Sequence, residues 1–224
     1  FPYPGVVHRC YRDSRAQTAF AGGVVAAHRV LGTWSSKVDR YIALTEFARR
    51  KFIEGGLSKE KLVVKPNFVE DHGRASPGGS FALFVGRLSE EKGLDVAVEA
   101  WENTNLSLPL RIVGDGPLED QIRNRTSSLP NVDYLGRRPR ARVLELMREA
   151  AVLIMPSIWY EGLPMTIVEA FSVGLPVVAS NLGAMSTLIE HGETGLHFEP
   201  NTPSSLADQV RRVAETPDEV RSMS

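Results

Sequence analysis

Residues 81–101, FALFVGRLSEEKGLDVAVEAW, have the pattern of one strand, one loop and one helix. The stretch opens with five apolar residues, continues through a polar loop and closes with a helical pattern at 94–101. The same order recurs to the end of the chain, with strands predicted at 110–113, 132–135, 152–155, 177–179 and 196–198 and helices at 118–125, 140–149, 165–173, 184–190 and 204–214. Buried strands that alternate with helices are typical of a parallel sheet covered on both faces. We therefore predict an α/β fold that binds ligands at the carboxyl ends of its strands.

The first third of the chain has a different pattern. We predict two helices and two short strands here, at 10–31, 46–54, 39–44 and 62–64. The first helix follows from Arg9, Arg12 and Arg15, which share a helical spacing.

A linker separates the two patterns. Residues 71–80 hold three glycines and a proline and almost no apolar side chain, a composition typical of linkers. We therefore predict a first domain at 1–75 and a second at 76–224. Because the chain does not begin with Met and its last segment, 206–223, reads as a helix and a following stub that stop without closure, we expect a piece of a longer protein.

Composition narrows the class of function. The formal net charge is −1, a balance that does not favour nucleic acid as a partner. Because Cys10 is the single cysteine, no intrachain disulfide can form, which fits a reducing, cytoplasmic compartment. We expect the Cys10 side chain to be buried. No apolar run approaches the roughly 18 residues that span a bilayer. The five histidines lack metal-binding spacing, and we expect Trp34, Trp101 and Phe171 in the core.

The loop after the first strand of the second domain carries two cations. Gly86 and Arg87 follow the strand directly, and Lys92 comes five residues after Arg87. A guanidinium fork and a compact ammonium together suit a diphosphate that leaves during a reaction. The alternative is a solvated loop in which Lys92 pairs with Glu90 or Glu91.

The next two loops carry glycines and arginines. Gly114 and Gly116 permit positive φ or a close backbone approach, although a plain strand-to-helix turn explains them equally. Gly136 opens a stretch with four arginines between 137 and 142, among them Arg138. This stretch lies at the carboxyl end of a strand, where a nucleotide base could bind, or it is the solvated start of a helix.

The loop after the strand at 152–155 is the strongest candidate. Its sequence, PSIWYEGLPMTIVEA at 156–170, places Glu161 before a helix start and Glu169 about two turns inside the helix. Pro164 suits the first helical position, so the amides of Met165 and Thr166 form an anion site. Two carboxylates at different depths of one cleft can accept hydrogen bonds from sugar hydroxyls. The alternative is that Glu161 is an ordinary charge in a loop and Glu169 an exposed helix residue.

Taken together, these motifs resemble the retaining, GT-B-fold glycosyltransferases of family 4, which carry the "glycosyl transferases group 1" domain. The resemblance covers about 38–200 and rests on the loop at 86–93, the turn at 114–117, the strand and glycine at 132–136, the Glu161–Glu169 spacing and the stretch at 174–179. The segment before residue 70 looks like the end of the family's N-terminal domain, in members that assemble bacterial surface polysaccharide.

The resemblance implies two Rossmann-like domains, with a UDP- or GDP-sugar held mainly by the second. It assigns catalytic roles to Arg87, Lys92 and Glu161, of which the two cations hold the diphosphate and Glu161 contacts the transferred sugar. It implies donor binding by Gly86, Gly114, Gly136, Arg138, Gly162, Leu163, Pro164, Met165, Thr166 and Glu169, with Glu169 on the ribose. It implies no metal and no cofactor. Many members have glycine where this chain has Pro164, so Met165 and Thr166 must supply the amides here.

The resemblance leaves several questions open. It implies that a glycan or lipid-linked acceptor binds the domain of which 1–75 is a remnant, with peripheral membrane contact at the inner face in the parent protein. The alternatives are a module that binds the nucleotide sugar without turnover, which we expect of this chain alone, and a GT-B-fold epimerase or phosphorylase. The sequence does not decide the sugar, the base or the acceptor.

Overall fold

The computed structural model describes residues 3–73 and 79–223, which fall into two compact units. The smaller unit comprises Phe1–Leu44 and Ala48–Lys65, and the larger comprises Thr45–Phe47 and Pro66–Ser224. The predicted domain boundary between residues 75 and 76 lies outside the described residues.

Residues 3–65 contain four α-helices and two strands: α1 (Tyr3–Val7), α2 (Arg15–Val30), α3 (Thr33–Ser36), β1 (Tyr41–Ala43), α4 (Glu46–Glu54) and β2 (Leu62–Val64). β1 and β2 pair in parallel, with Tyr41 opposite Leu62. In the smaller unit, Trp34 is 40% exposed and lines a cavity of about 430 Å³, and Cys10 is exposed. The expectations that Trp34 and Cys10 are buried are therefore wrong.

The long helix of the smaller unit begins later than predicted. Ser14 caps it, because the Ser14 hydroxyl accepts from the Gln17 N–H, and α2 starts at Arg15. Arg9 and Arg12 both have φ of +53°, in the left-handed region that an α-helix excludes. Their helical spacing in the sequence therefore has no helical counterpart in the structure.

The larger unit alternates strands and helices: β3 (Ala82–Val85), α5 (Leu94–Asn103), β4 (Leu110–Val113), α6 (Glu119–Thr126), β5 (Val132–Gly136), α7 (Arg140–Glu149), β6 (Val152–Met155), α8 (Met165–Ser172), β7 (Val177–Ser180), α9 (Met185–Leu188), β8 (Leu196–Phe198), α10 (Pro203–Glu215) and α11 (Pro217–Arg221). The strands and helices predicted from 81 to 214 are confirmed, with bounds that differ by two residues or fewer. Pro217 starts a separate short helix, so the helix and following stub expected at 206–223 correspond to α10 and α11.

The sheet of the larger unit is covered on both faces. Alternate side chains along each strand enter different cores, so Phe84 packs in one and Leu83 in the other. Side chains of α5 and α10 fill the first core, and side chains of α7 and α8 fill the second. Trp101 lies in the first core, where it is 2% exposed and donates from Nε1 to Leu108 O. Among the described residues, no helix is both long and apolar enough to cross a bilayer.

The strand order places the ligand crevice. All six strands are parallel, in the order β5-β4-β3-β6-β7-β8. From β3 the chain builds outward to β5, and it then returns to β6 on the other side of β3. Ligands of open parallel sheets bind where the strand order reverses, at the carboxyl ends of the strands. The loops after β3 and β6 flank that point.

Candidate active site

An ion pair joins the loop after β3 to the loop after β6. Lys92 Nζ lies 2.7 Å from Glu161 Oε1, and the two side chains are 24% and 18% exposed. The fully buried Ser157 donates from Oγ to the same carboxylate oxygen at 2.6 Å. The structure therefore pairs Lys92 with Glu161, and not with Glu90 or Glu91.

Backbone contacts fix the same two loops against each other. The Ile158 N–H donates to Glu91 O at 3.1 Å. Gly93 has φ of +64°, and a Cβ at this position would lie 2.0 Å from Pro156 O, so only glycine fits. The hydrogen bond from Ser89 lowers the pKa of the Glu91 carboxyl, and the nearby cations lower it further. These contacts hold the loops after β3 and β6 against each other at the switch point.

The glycine turn after β4 serves loop packing. Gly114 has φ of +148°, and a Cβ there would lie 1.8 Å from Gly86 O. Gly116 has φ of +155°, and its Cβ would lie 2.5 Å from Leu88 O. The Gly114 N–H donates to Gly136 O at 3.1 Å, which ties in the loop after β5 as well. Gly114 and Gly116 thus have both properties expected from the sequence, a positive φ and a close backbone approach. The backbone that they approach is that of the loop after β3.

A cavity of about 650 Å³ lies at the carboxyl ends of β3, β4 and β5. Its lining includes three cations, two carboxylates and three glycines: Arg87, Arg137, Arg138, Asp115, Glu119, Gly86, Gly114 and Gly116. The nearby Tyr134 hydroxyl donates to Gly114 O at 3.0 Å; burial raises the pKa of this hydroxyl, and the Glu119 carboxylate raises it further. A cavity of this size with convergent polar groups is typical of a small-molecule site.

Helix α8 contributes its first turn and one carboxylate. Glu169, whose side chain is 19% exposed, lies 3.1 Å from Arg140 Nε at the start of α7. The amides of Met165 and Thr166 lie in the first turn, where helical N–H groups have no intrahelical acceptor. Before them, Gly162 is exposed while Leu163 and Pro164 are buried, so the chain enters α8 with an anchored backbone.

The structure thus assembles the predicted residues into three groups. Four of them line the cavity, namely Gly86, Arg87, Gly114 and Arg138, and Gly136 O accepts from the Gly114 N–H although Gly136 is not part of the lining. Lys92 pairs with Glu161, and Glu169, on the helix that follows the segment from Gly162 to Pro164, pairs with Arg140. The sequence did not single out two residues that contact the predicted carboxylates. Ser157 is a buried hydroxyl four residues before Glu161, and Arg140 was one of four arginines with nothing to distinguish it.

Comparison with known proteins gives the family. A sequence model of the family "Glycosyl transferases group 1" matches residues 70–224, more than half of the chain. The chain is 32% identical over 187 residues to the exopolysaccharide phosphotransferase SCO2592 of Streptomyces coelicolor, covering 79% of this chain and 20% of that protein. It is 31% identical over 193 residues to the phosphatidyl-myo-inositol mannosyltransferase of Mycobacterium leprae, covering 81% and 51%. The chain therefore spans about half or less of the length of these relatives.

Comparison with solved structures supports the fold. The crystal structure of Anabaena Alr3699/HepE in complex with UDP-glucose matches with a TM-score of 0.74 and 23% identity, over 83% of this chain and 56% of that one. This match confirms the predicted α/β architecture, the helix-covered parallel sheet of the GT-B glycosyltransferases. The predicted resemblance to group 1 glycosyl transferases is likewise confirmed, because the family match extends over the whole sheet and every loop described above. This chain belongs to the glycosyl transferases group 1 family.

Proposed function

We propose that the larger unit binds a UDP- or GDP-linked sugar and that the parent protein transfers this sugar to an acceptor hydroxyl with retention of configuration, as in family 4. The observation that carries the proposal is the Lys92–Glu161 ion pair, which lies at the switch point of the sheet and is held by Ser157. The solved complex of Alr3699/HepE with UDP-glucose supports a nucleotide-sugar ligand for this fold.

Each group has a chemical task in this proposal. Lys92 and the exposed Arg87 stabilise the diphosphate as its charge develops, with the first-turn amides of α8. Glu161 accepts from a hydroxyl of the transferred sugar, and Glu169 accepts from the ribose. We propose that these charges replace a metal and that no cofactor is needed.

The proposed transfer is a front-face substitution. The bond from the anomeric carbon to the phosphate oxygen breaks, and the bond to the acceptor oxygen forms on the same face of the sugar. The acceptor's proton passes to the leaving phosphate, so no protein nucleophile is required. The role of the chain is to hold the diphosphate and the sugar in the reacting geometry.

The partners of the parent protein follow from the same proposal. We propose that a glycan or lipid-linked acceptor binds on the acceptor side, with peripheral contact at the cytoplasmic face of a membrane, in polysaccharide biosynthesis. For the 224-residue chain itself we propose donor binding without turnover.

Calorimetric titration with UDP, GDP, UDP-glucose and GDP-mannose tests the donor site. Lys92→Gln removes one charged contact to the diphosphate, and we expect it to cost about 1.5–3 kcal/mol of binding free energy. Lys59→Gln makes the same change at an exposed position of the smaller unit and leaves the affinity unaltered. Equal effects of the two substitutions contradict the proposed contact.

Glu161→Gln separates the sugar contact from the diphosphate contact. It removes the carboxylate that pairs with Lys92 and so leaves that cation available to the ligand. We expect weaker binding of the nucleotide sugar and undiminished binding of the nucleoside diphosphate. A loss that is the same for both ligands shows that Glu161 does not contact the sugar.

A further inference from the structure

The cavity after β3, β4 and β5 holds two carboxylates, and only one of them is engaged by close contacts. Glu119 Oε1 accepts a hydrogen bond from Arg123 Nη2 at 2.8 Å. Asp115 contacts Arg137 Nη1 at 3.4 Å, between side chains that are 52% and 80% exposed. An exposed ion pair of that length contributes little free energy, so a ligand separates it easily.

The backbone that carries Asp115 is nevertheless fixed. The Leu88 N–H donates to Asp115 O at 2.8 Å, and the glycines on either side are locked against the loop after β3. Arg137 follows Gly136, whose φ of +70° ends β5. An exposed carboxylate and an exposed guanidinium therefore extend from two backbone segments that hydrogen bonds hold in place, and both side chains line one cavity.

These two groups complement one kind of base. Guanine presents N1–H and N2–H side by side, which one carboxylate accepts together, and its O6 and N7 accept the two donors of an arginine. Uracil presents oxygens on both sides of a single N–H, so a carboxylate at that edge faces lone pairs. A site built for paired donors rejects a ligand that lacks them, because its own polar groups are then left without partners.

We propose that Asp115 and Arg137 select guanine, so that the donor is a GDP-linked sugar. This inference rests on the donor site proposed above and names the base that the site takes. Asp115 accepts from N1–H and N2–H, and Arg137 donates to O6 and N7.

Calorimetry with GDP, UDP and inosine diphosphate tests the assignment. We expect GDP to bind tightest and inosine diphosphate more weakly, because inosine lacks the 2-amino group. Asp115→Asn should lower the affinity for GDP by roughly 10- to 100-fold, the range of a bidentate base contact, and leave UDP unaffected. Asp120→Asn, an equal charge change at an exposed position of α6 outside the cavity lining, should alter neither.

The outcomes separate this inference from the proposed function. Tighter binding of UDP, equal binding of GDP and inosine diphosphate, or an equal loss of GDP and UDP in Asp115→Asn overturns the base assignment and leaves the donor site standing. Absence of binding by every diphosphate, in a chain shown by circular dichroism to be folded, overturns both. The comparison of GDP with inosine diphosphate uses the unaltered chain, so it holds even if Asp115→Asn fails to fold.

Discussion

Replacing Gly114 by alanine places a methyl group where the loops after β3 and β4 leave no room for it. The added Cβ would lie 1.8 Å from Gly86 O, so the two loops must separate by roughly 1.5 Å to reach ordinary contact. Overpacking of this kind costs about 1–3 kcal/mol, and a left-handed backbone adds about 1–2 kcal/mol for a residue with a Cβ. We therefore expect Gly114→Ala to lower the free energy of unfolding by about 2–5 kcal/mol.

Gly192→Ala is the matched control for this substitution. Gly192 has φ of +83°, but nothing lies within 4 Å of the position of its added Cβ, so it carries the backbone cost alone. Urea denaturation followed by circular dichroism measures both variants. Equal losses of stability in the two variants would show that the glycine turn is not needed for loop packing.

Two further substitutions test the site and its surroundings. Ser157→Ala removes the hydroxyl that lies 2.6 Å from Glu161 Oε1. We expect calorimetry to show weaker binding of the nucleotide sugar and unchanged binding of the nucleoside diphosphate. An unchanged affinity for the nucleotide sugar contradicts a supporting role for Ser157. Arg125→Ala removes the hydrogen bonds to Glu102 and should cost about 1–3 kcal/mol of unfolding free energy at neutral pH. The hydrogen bonds with Arg125 lower the pKa of the Glu102 carboxyl. The stability that they contribute is therefore complete above the ordinary glutamate pKa and is lost as the pH falls through the lowered pKa, so the denaturation curves of variant and parent should converge in acid. A stability difference that persists unchanged there contradicts the pairing.

The repeated strands and helices of the larger unit could be predicted from the sequence because each buried strand is a continuous apolar run. The run at 152–155 is buried throughout, as expected of a strand that is covered by helices on both faces of a parallel sheet. The smaller unit gave weaker signals. The arginine spacing before Ser14 predicted a helix, but Ser14 supplies a cap that starts α2 only at Arg15.

The partners of the charged side chains could not be predicted. Lys92 had two acidic neighbours in sequence, yet it pairs with Glu161 from another loop, 69 residues away, because β3 and β6 are adjacent in the sheet. Arg140 of α7 likewise forms an ion pair with Glu169 of α8. Spacing along the chain locates the loops, whereas the strand order decides which loops meet.

The most direct test of the account is a crystal structure of the chain with a bound nucleoside diphosphate sugar. We predict that the diphosphate lies within hydrogen-bond distance of Arg87, Lys92 and the amides of Met165 and Thr166, with the sugar against Glu161. A diphosphate bound away from the loops after β3 and β6 would contradict the assignment of the donor site.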